Sequence, residues 1–439
     1  MTPNPSIMKS VEQLGYRVTV GDVAAQAGID VNIAQQQLLA LASDAGGHLQ
    51  VAESGEIAFQ FPQDFRTVLR NKFWRLKLQE WWEKVWRVLF YIIRISFGIL
   101  LLASIVLIFV SIAIILIAIN SSRDGDDSGG SSNSGGGFIF VPRLWFGPNW
   151  YWFLYWDDND YYNQRRQRSA NLKDNQYNFL EAVFSFLFGD GNPNANLEER
   201  RWKTIATLIR NNQGAVIAEQ VAPYLDEISR QEEEYEDYML PVLTRFNGYP
   251  KVSPQGELVY HFPDLQTTAT QYRPQGIVSS LKEQLWKFSQ ASSGQLMLAA
   301  GLGVANIVGA IILGNLLQDQ TLVQSLGGWV AFVDVIFPLL LVYGIGFLTV
   351  PLIRFIWIKW RNARIEVRNQ NRQERVAILN QAQDSIKQKL SFARQFAAET
   401  VIDQKDLAYT TESDLVEQEL EQVDKIDAEW QKRLNESNS

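Results

Sequence analysis

Three long apolar runs set the hydrophobic pattern of the chain, and amphipathic or polar sequence surrounds them. Ile95 to Ile119 is 25 consecutive residues without a charge. At about 1.5 Å per helical residue that run extends roughly 37 Å, against about 30 Å for the hydrocarbon of a bilayer. No proline interrupts it and only Gly98 weakens it. A helix buried in a soluble core has runs of about 10–14 residues, so residues 88–119 predict a transmembrane helix. Leu296 to Leu317 is a second run, 22 residues without a charge. Leu326 to Ile353 is a third, 28 residues with one charge, Asp334. Eight residues, QDQTLVQS, connect these two, so 273–353 reads as a transmembrane helical hairpin.

The first 65 residues read differently. Val20, Val23, Ala24 and Ala27 make one short apolar face, Gly28 breaks the helix and Asp30 can cap the next. Leu38, Leu39, Leu41 and Ala42 continue at helical spacing until Gly46-Gly47. HLQVAESGEIAFQF then alternates around Ser54-Gly55, as a β-hairpin does. Helix, helix, hairpin is the order of a winged helix. The pattern returns 201 residues later. Leu38–Pro62 aligns without a gap onto Met239–Pro263, with identities at the glycine turns and the strand end: Gly47/Gly248, Gly55/Gly256, Phe61/Phe262, Pro62/Pro263. A second winged-helix-like domain is expected within 169–272, with its core over 197–266.

The joining segments carry a shared signature. Residues 66–87 hold seven basic and two acidic residues, with Trp74, Trp81, Trp82 and Trp86 among them. Residues 354–375 hold the same number of each, with Trp357 and Trp360. Indoles at headgroup depth with Lys and Arg outside them mark a membrane interface. Residues 120–137 are a Gly/Ser linker. Residues 138–168 begin with 19 residues of which ten are aromatic, including Trp145, Trp150, Trp152 and Trp156. Pro142, Gly147 and Pro148 prevent a straight helix there, and an interfacial or re-entrant segment is expected. Residues 354–439 are expected to form polar C-terminal helices, the last stretch suiting a surface helix or a short coiled coil. The expected fold class is mainly α and membrane-embedded: transmembrane helices, two small α+β winged-helix-like soluble domains and C-terminal helices.

Charge sets the sidedness. Both basic clusters, and with them both termini, are expected on the cytoplasmic side. Three simple spans put the ends on opposite faces, so a return through or along 138–156 is expected. Within the hairpin, Gly301, Ala305 and Gly309 recur every fourth residue as a flat ridge for close helix packing, against the hairpin itself or a sister chain. Asp334 should face protein or water, with Asn306 and Asn315 as partners.

Composition narrows the chemistry. There is no cysteine among the 439 residues, which excludes disulfides, thiolate metal sites and cysteine nucleophiles. His48 and His261 are the only histidines. No Walker loop, GxGxxG after a strand, HExxH or GxSxG occurs. The acidic run 232–237 lacks the loop of a calcium site and reads as a solvated face. MTPNPSIMKS has no apolar core, so no signal peptide is expected. Residues 10–65 carry Arg17 alone against seven acidic residues, and the recognition-helix candidate has Gln35, Gln36 and Gln37 but no Lys or Arg. Phosphate neutralisation dominates DNA affinity, so no nucleic-acid partner is expected.

The whole arrangement resembles an uncharacterised family of membrane proteins of cyanobacteria and chloroplasts. The acidic winged-helix-like start, the basic Trp-rich neck, the long span, the Gly-rich linker into PRLWFGPNWYWFLYWDD and the late hairpin carry the resemblance, most specifically over 135–162. It implies a photosynthetic membrane or envelope and no known activity. Plastid members carry an iron–sulfur-assembly description, which a chain without cysteine does not support. The expected function is a non-enzymatic membrane-anchored scaffold or assembly factor with no catalytic residues, cofactor or metal. Its partners would be membrane lipid and proteins, and a homo-oligomer is compatible. The alternatives are a transporter or channel component and, third, a membrane-tethered regulator.

Overall fold

The computed structural model describes residues 4–72, 74–123, 178–226, 228, 235–381, 384–403, 407–416 and single positions from 418 to 434. Residues 124–177, with the expected aromatic segment and its Trp145, Trp150, Trp152 and Trp156, lie outside the described residues. In chain order the elements are α1 (Pro5–Gln13), β1 (Arg17–Thr19), α2 (Val20–Ala27), α3 (Val31–Ala45), β2 (His48–Ala52), β3 (Ile57–Gln60), α4 (Phe65–Lys72), α5 (Trp74–Arg123) and α6 (Phe179–Phe188). They continue with α7 (Leu197–Asn211), β4 (Ala215–Val216), α8 (Ala218–Val221), α9 (Leu240–Phe246), β5 (Tyr249–Val252), β6 (Leu258–His261) and β7 (Thr267–Thr268). Last come α10 (Ser293–Leu317), α11 (Gln320–Leu326), α12 (Gly328–Asn380), α13 (Asp384–Ala393), β8 (Thr400–Val401) and β9 (Leu407–Thr410). The fold is mainly helical with small sheets, and divides into two units. A mixed unit comprises 1–82, 193–285 and 363–439, and a helical unit comprises 83–192 and 286–362.

The mixed unit contains the repeat. Its first half orders its strands β1-β3-β2 and its second β4-β6-β5, antiparallel throughout. The 201-residue offset holds at the level of individual bonds. Gly47 N–H donates to Ala42 O (2.8 Å) and Gly248 N–H to Leu243 O (2.9 Å). The turn glycines Gly55 and Gly256 have φ +87° and +88°, a region open to glycine at little cost. A Cβ on Gly47 would lie 2.9 Å from the Phe61 ring, and one on Gly248 would lie 2.3 Å from the Phe262 ring. Each glycine is therefore required because a phenylalanine of the returning strand packs on its backbone. Capping also follows the sequence: Gly28 ends α2 in the left-handed conformation, and Asp30 accepts from Asn32 and Ile33 N–H at the start of α3.

The two halves are not separate beads. Ala24, Ala25, Val31 and Ala34 belong to the same buried cluster as Ile205, Ile209, Val242, Phe246 and Phe262. Asp22 and Arg210 form a buried ion pair across the junction at 2.6 Å. Asp22 Oδ2 also accepts from Thr19 and Ala269 N–H, so both carboxylate oxygens are satisfied. The segments expected as domains 1–65 and 169–272 thus fold as one unit, except that α6 lies in the helical unit.

The C-terminal region departs from the expectation for 354–439. It is not helical throughout. β9 adds to the outer edge of β2, pairing Gln50 with Thr410 and Val51 with Tyr409. β8 runs parallel to β7. α13 packs Ile386 and Ala393 against Ala215, Ile217 and Val259 of the second half. Residues 273–292, expected in the hairpin, precede it without a helix.

In the helical unit α5, α10 and α12 are three helices long and apolar enough to cross a bilayer, compatible with a membrane protein. Tyr343 Oη donates to Phe97 O (3.2 Å) and Trp329 Nε1 to Ser111 Oγ (3.1 Å), so α12 runs antiparallel to α5. Leu101, Ile105, Val183, Phe186, Ala299 and Phe347 form one apolar cluster, bringing α6 against the three. The neck is no separate element: from Trp74 onward it is continuous with the span, and the region after the third span continues it to Asn380.

Candidate membrane interface and helix-packing site

The six described tryptophans of the expected interface are all exposed, from 44 % for Trp357 to 72 % for Trp360. Trp74, Trp81, Trp82 and Trp86 lie on α5 and Trp357 and Trp360 on α12. A large amphipathic ring left this open is matched by an environment with an apolar side and a wet one.

The basic residues beside them separate into two groups, which the sequence did not distinguish. Arg372 is only 1 % exposed. It donates to Leu225 O (3.1 Å), Leu281 O (3.2 Å) and Asp226 (2.8 Å), and pairs with Glu283 at 2.9 Å. Arg368 grips the same Glu283 with two bonds of 2.8 and 2.7 Å, and Arg375 donates to Ala222 O and Asp226 O. These three cations hold the mixed unit together. Burial alone would raise the Glu283 pKa, but hydrogen bonds from Arg368 and the charges of Arg372 and Arg368 outweigh it and hold the carboxyl below its ordinary value.

The packing site also differs from the expected ridge. Gly309 faces α5, where its Cβ would lie 2.8 Å from Ile108 Cγ2. Ala305 is half-buried, and Gly301 is exposed with nothing within 4 Å of the place of its Cβ. The close approach of α10 to α12 is at Gly303, where a Cβ would lie 2.5 Å from Phe347 Cδ1, and at Gly314, 2.6 Å from Phe337 Cζ. Helical periodicity explains the shift: Gly303, Asn306 and Ala310 share the buried face, and Gly301 lies off it. Asp334 is exposed on α12 and forms no hydrogen bond with Asn306 or Asn315. Asn306 is instead fully buried and donates to Ser104 Oγ of α5, while its Oδ1 faces Gly344 without a hydrogen bond.

The mixed unit has two further polar features. Lys389 of α13 reaches Glu219 and Glu236 at 2.8 Å each and Glu257 at 3.4 Å. Burial opposes its charge, but the bonds to Glu219 and Glu236 prevail and raise its pKa. Tyr260 donates to Glu236 (2.8 Å); burial, then that bond, pushes the phenol pKa up. Lys389 is bridged to all three carboxylates, and although Glu219 Oε2 accepts no hydrogen bond, the cluster fastens α13 to the second half. Among the described residues no group of three or more His, Asp or Glu is placed to hold a metal ion.

The second feature is an asymmetry between the halves. Leu49 of β2 presents its main chain outward, accepting Thr411 N–H (3.0 Å) and donating to Thr411 Oγ1 (2.9 Å). The equivalent position in β5 is Pro250, and the next outward one is Val252. All four residues of β5 are exposed, and no described strand pairs with its outer edge.

These features define a membrane-type helical protein bearing one mixed unit built from a repeat. The chain belongs to the family of an uncharacterized chloroplastic protein of Arabidopsis thaliana, At5g03900: the two are 39 % identical over 449 residues, covering 98 % of this chain and 82 % of the relative. No family model matches the chain. No solved structure matches it.

Proposed function

We propose that the protein is a non-enzymatic, multi-pass membrane scaffold or assembly factor that docks protein partners on its cytoplasmic (stromal-side) face. One observation carries the reading. The mixed unit draws on chain from before the first span, between the first and second, and after the third: Ala24 and Ile205 share one buried cluster, and Ile386 packs with Ile217 in another. A compact core cannot straddle hydrocarbon, because its polar main chain needs water or protein partners. On this reading all three segments, and with them both termini, lie on one side. The α10–α12 hairpin leaves and returns to that side. The positive bias of 66–87 and 354–375 assigns that side to the cytoplasm.

We read the halves, with strand orders β1-β3-β2 and β4-β6-β5, as winged-helix-like, a fold that serves protein docking as well as DNA binding. Their acidity favours the first use. The open edge of β5 supports an extended segment of a partner as the docked element. Pro250 removes one donor and limits indiscriminate pairing, while Val252 keeps both main-chain groups. Val252→Pro removes the outward N–H and leaves the β5–β6 ladder intact. The expected outcome is that proteins recovered with the tagged full chain in mild detergent, identified by mass spectrometry, are lost from Val252→Pro. The same set recovered from the variant would place docking elsewhere, and sequence-specific duplex binding by the full chain would favour the regulator.

A further inference from the structure

We propose that the helical unit carries a cationic, indole-lined collar that selects anionic lipid headgroups. The inference rests on the membrane reading of α5, α10 and α12. Two arginines fix the level of the collar. Arg94 of α5 pairs with Asp190 (3.0 Å), and Asp190 also accepts from Ser185 Oγ (2.7 Å) and Gln290 N–H (2.8 Å). Arg354 of α12 donates to Ser185 O (3.1 Å) and to Phe288 O, with its guanidinium 4.3 Å from the Phe288 ring centroid. Both adjoin uncharged runs, and both are neutralised or solvated by protein, as a charge at the hydrocarbon boundary requires.

Arg87 and Arg361 lie seven residues farther out on these antiparallel helices, about 10 Å by helical rise. Here the arrangement reverses. Lys84, Arg87, Lys287, Lys359 and Arg361 are exposed, and none forms a salt bridge among the described residues. Glu83 is the one acidic residue in 83–94, 286–292 and 354–362. Exposed Trp86, Trp357 and Trp360 stand among these cations. Arg361 stacks 4.8 Å from the Trp286 centroid and 5.1 Å from that of Trp357, which holds a guanidinium beside the indoles without a carboxylate. Main-chain bonds of Trp286 to the Asn362 side chain (2.8 and 2.9 Å) fix the segment that carries Lys287. The cations inside the protein boundary have anionic or carbonyl partners, and those outside it have none. Their position at headgroup depth, next to the apolar spans, makes the phosphate of an anionic lipid the complementary group.

The test uses the full chain in bilayers of phosphatidylcholine with a minor fraction of phosphatidylglycerol, and spin-labelled forms of each lipid. Each cation near an anionic surface is worth about a fivefold change in partition, so the wild type should prefer the labelled phosphatidylglycerol by about fivefold or more at low salt. The preference should shrink as ionic strength rises. It should disappear in Lys84→Gln/Arg87→Gln/Lys287→Gln/Lys359→Gln/Arg361→Gln and persist in Arg87→Lys/Lys359→Arg, which keeps the charge. Equal association of the two lipids with wild type overturns the proposal whether or not the quintuple variant folds. A preference that survives undiminished in a folded quintuple variant overturns it as well.

Discussion

Replacing Glu283 with alanine destabilises the mixed unit by about 3–5 kcal/mol, the cost of stripping one partner from a buried ion pair. The residue is 6 % exposed and takes charge from two arginines at once. Its loss strands Arg372, itself 1 % exposed, with only the half-exposed Asp226 as counter-charge. The measurement is thermal unfolding of the full chain in mild detergent, read by limited proteolysis of residues 193–285. Acid should act through the same group. Because the folded pKa of Glu283 is lowered, its contribution is complete above the unfolded carboxyl value, about 4.3, and is lost as pH falls through the lower folded value. Glu283→Gln should lack that acid-dependent loss. An unchanged melting temperature for Glu283→Ala would mean that Asp226 and the carbonyl bonds suffice to hold the arginines.

The second large effect lies between the spans. Gly303→Leu should cost roughly 1–3 kcal/mol or force α10 and α12 apart, because Phe347 and Leu348 occupy the space of its side chain. Gly309→Leu should act similarly against Ile108 of α5. Gly301→Leu should leave the fold unaltered, since nothing approaches that position. Detergent-resistant compactness, followed by proteolysis of the helical unit, separates the three. Disruption by Gly301→Leu together with tolerance of Gly303→Leu would show that a sister chain, and not the hairpin, sets the packing.

This contrast shows how far the sequence carries. Spacing of four residues identified a small-residue ridge on α10, and Gly309 does pack. The choice between ridges depends on where Phe347 and Phe337 arrive from another helix, which no local pattern reports. The repeat was legible because Gly47 and Gly248 each answer to a phenylalanine 14 residues on, a constraint written twice in the chain. The pairing of β9 with β2 was not, because four residues with weak alternation carry no signal of a partner some 360 positions away. The basic cluster 354–375 carries two exposed tryptophans, Trp357 and Trp360, as its interface reading requires. It could not reveal that Arg368, Arg372 and Arg375 are committed to Glu283, Asp226 and main-chain carbonyls, since paired and lipid-facing arginines look alike in a sequence.

Single-cysteine accessibility tests the central claim, a one-sided unit anchored by spans, most directly, because the chain has no native thiol to interfere. Cysteines at exposed Gln36, Gln255 and Gln370 sample the three chain segments of the mixed unit, and Gln318 samples the connector of the hairpin. In sealed vesicles of known orientation, a membrane-impermeant maleimide should label Gln36→Cys, Gln255→Cys and Gln370→Cys only from the cytoplasmic side, and Gln318→Cys only from the other. Labelling of any of the first three from the opposite side, or of all four from one side, would contradict the account.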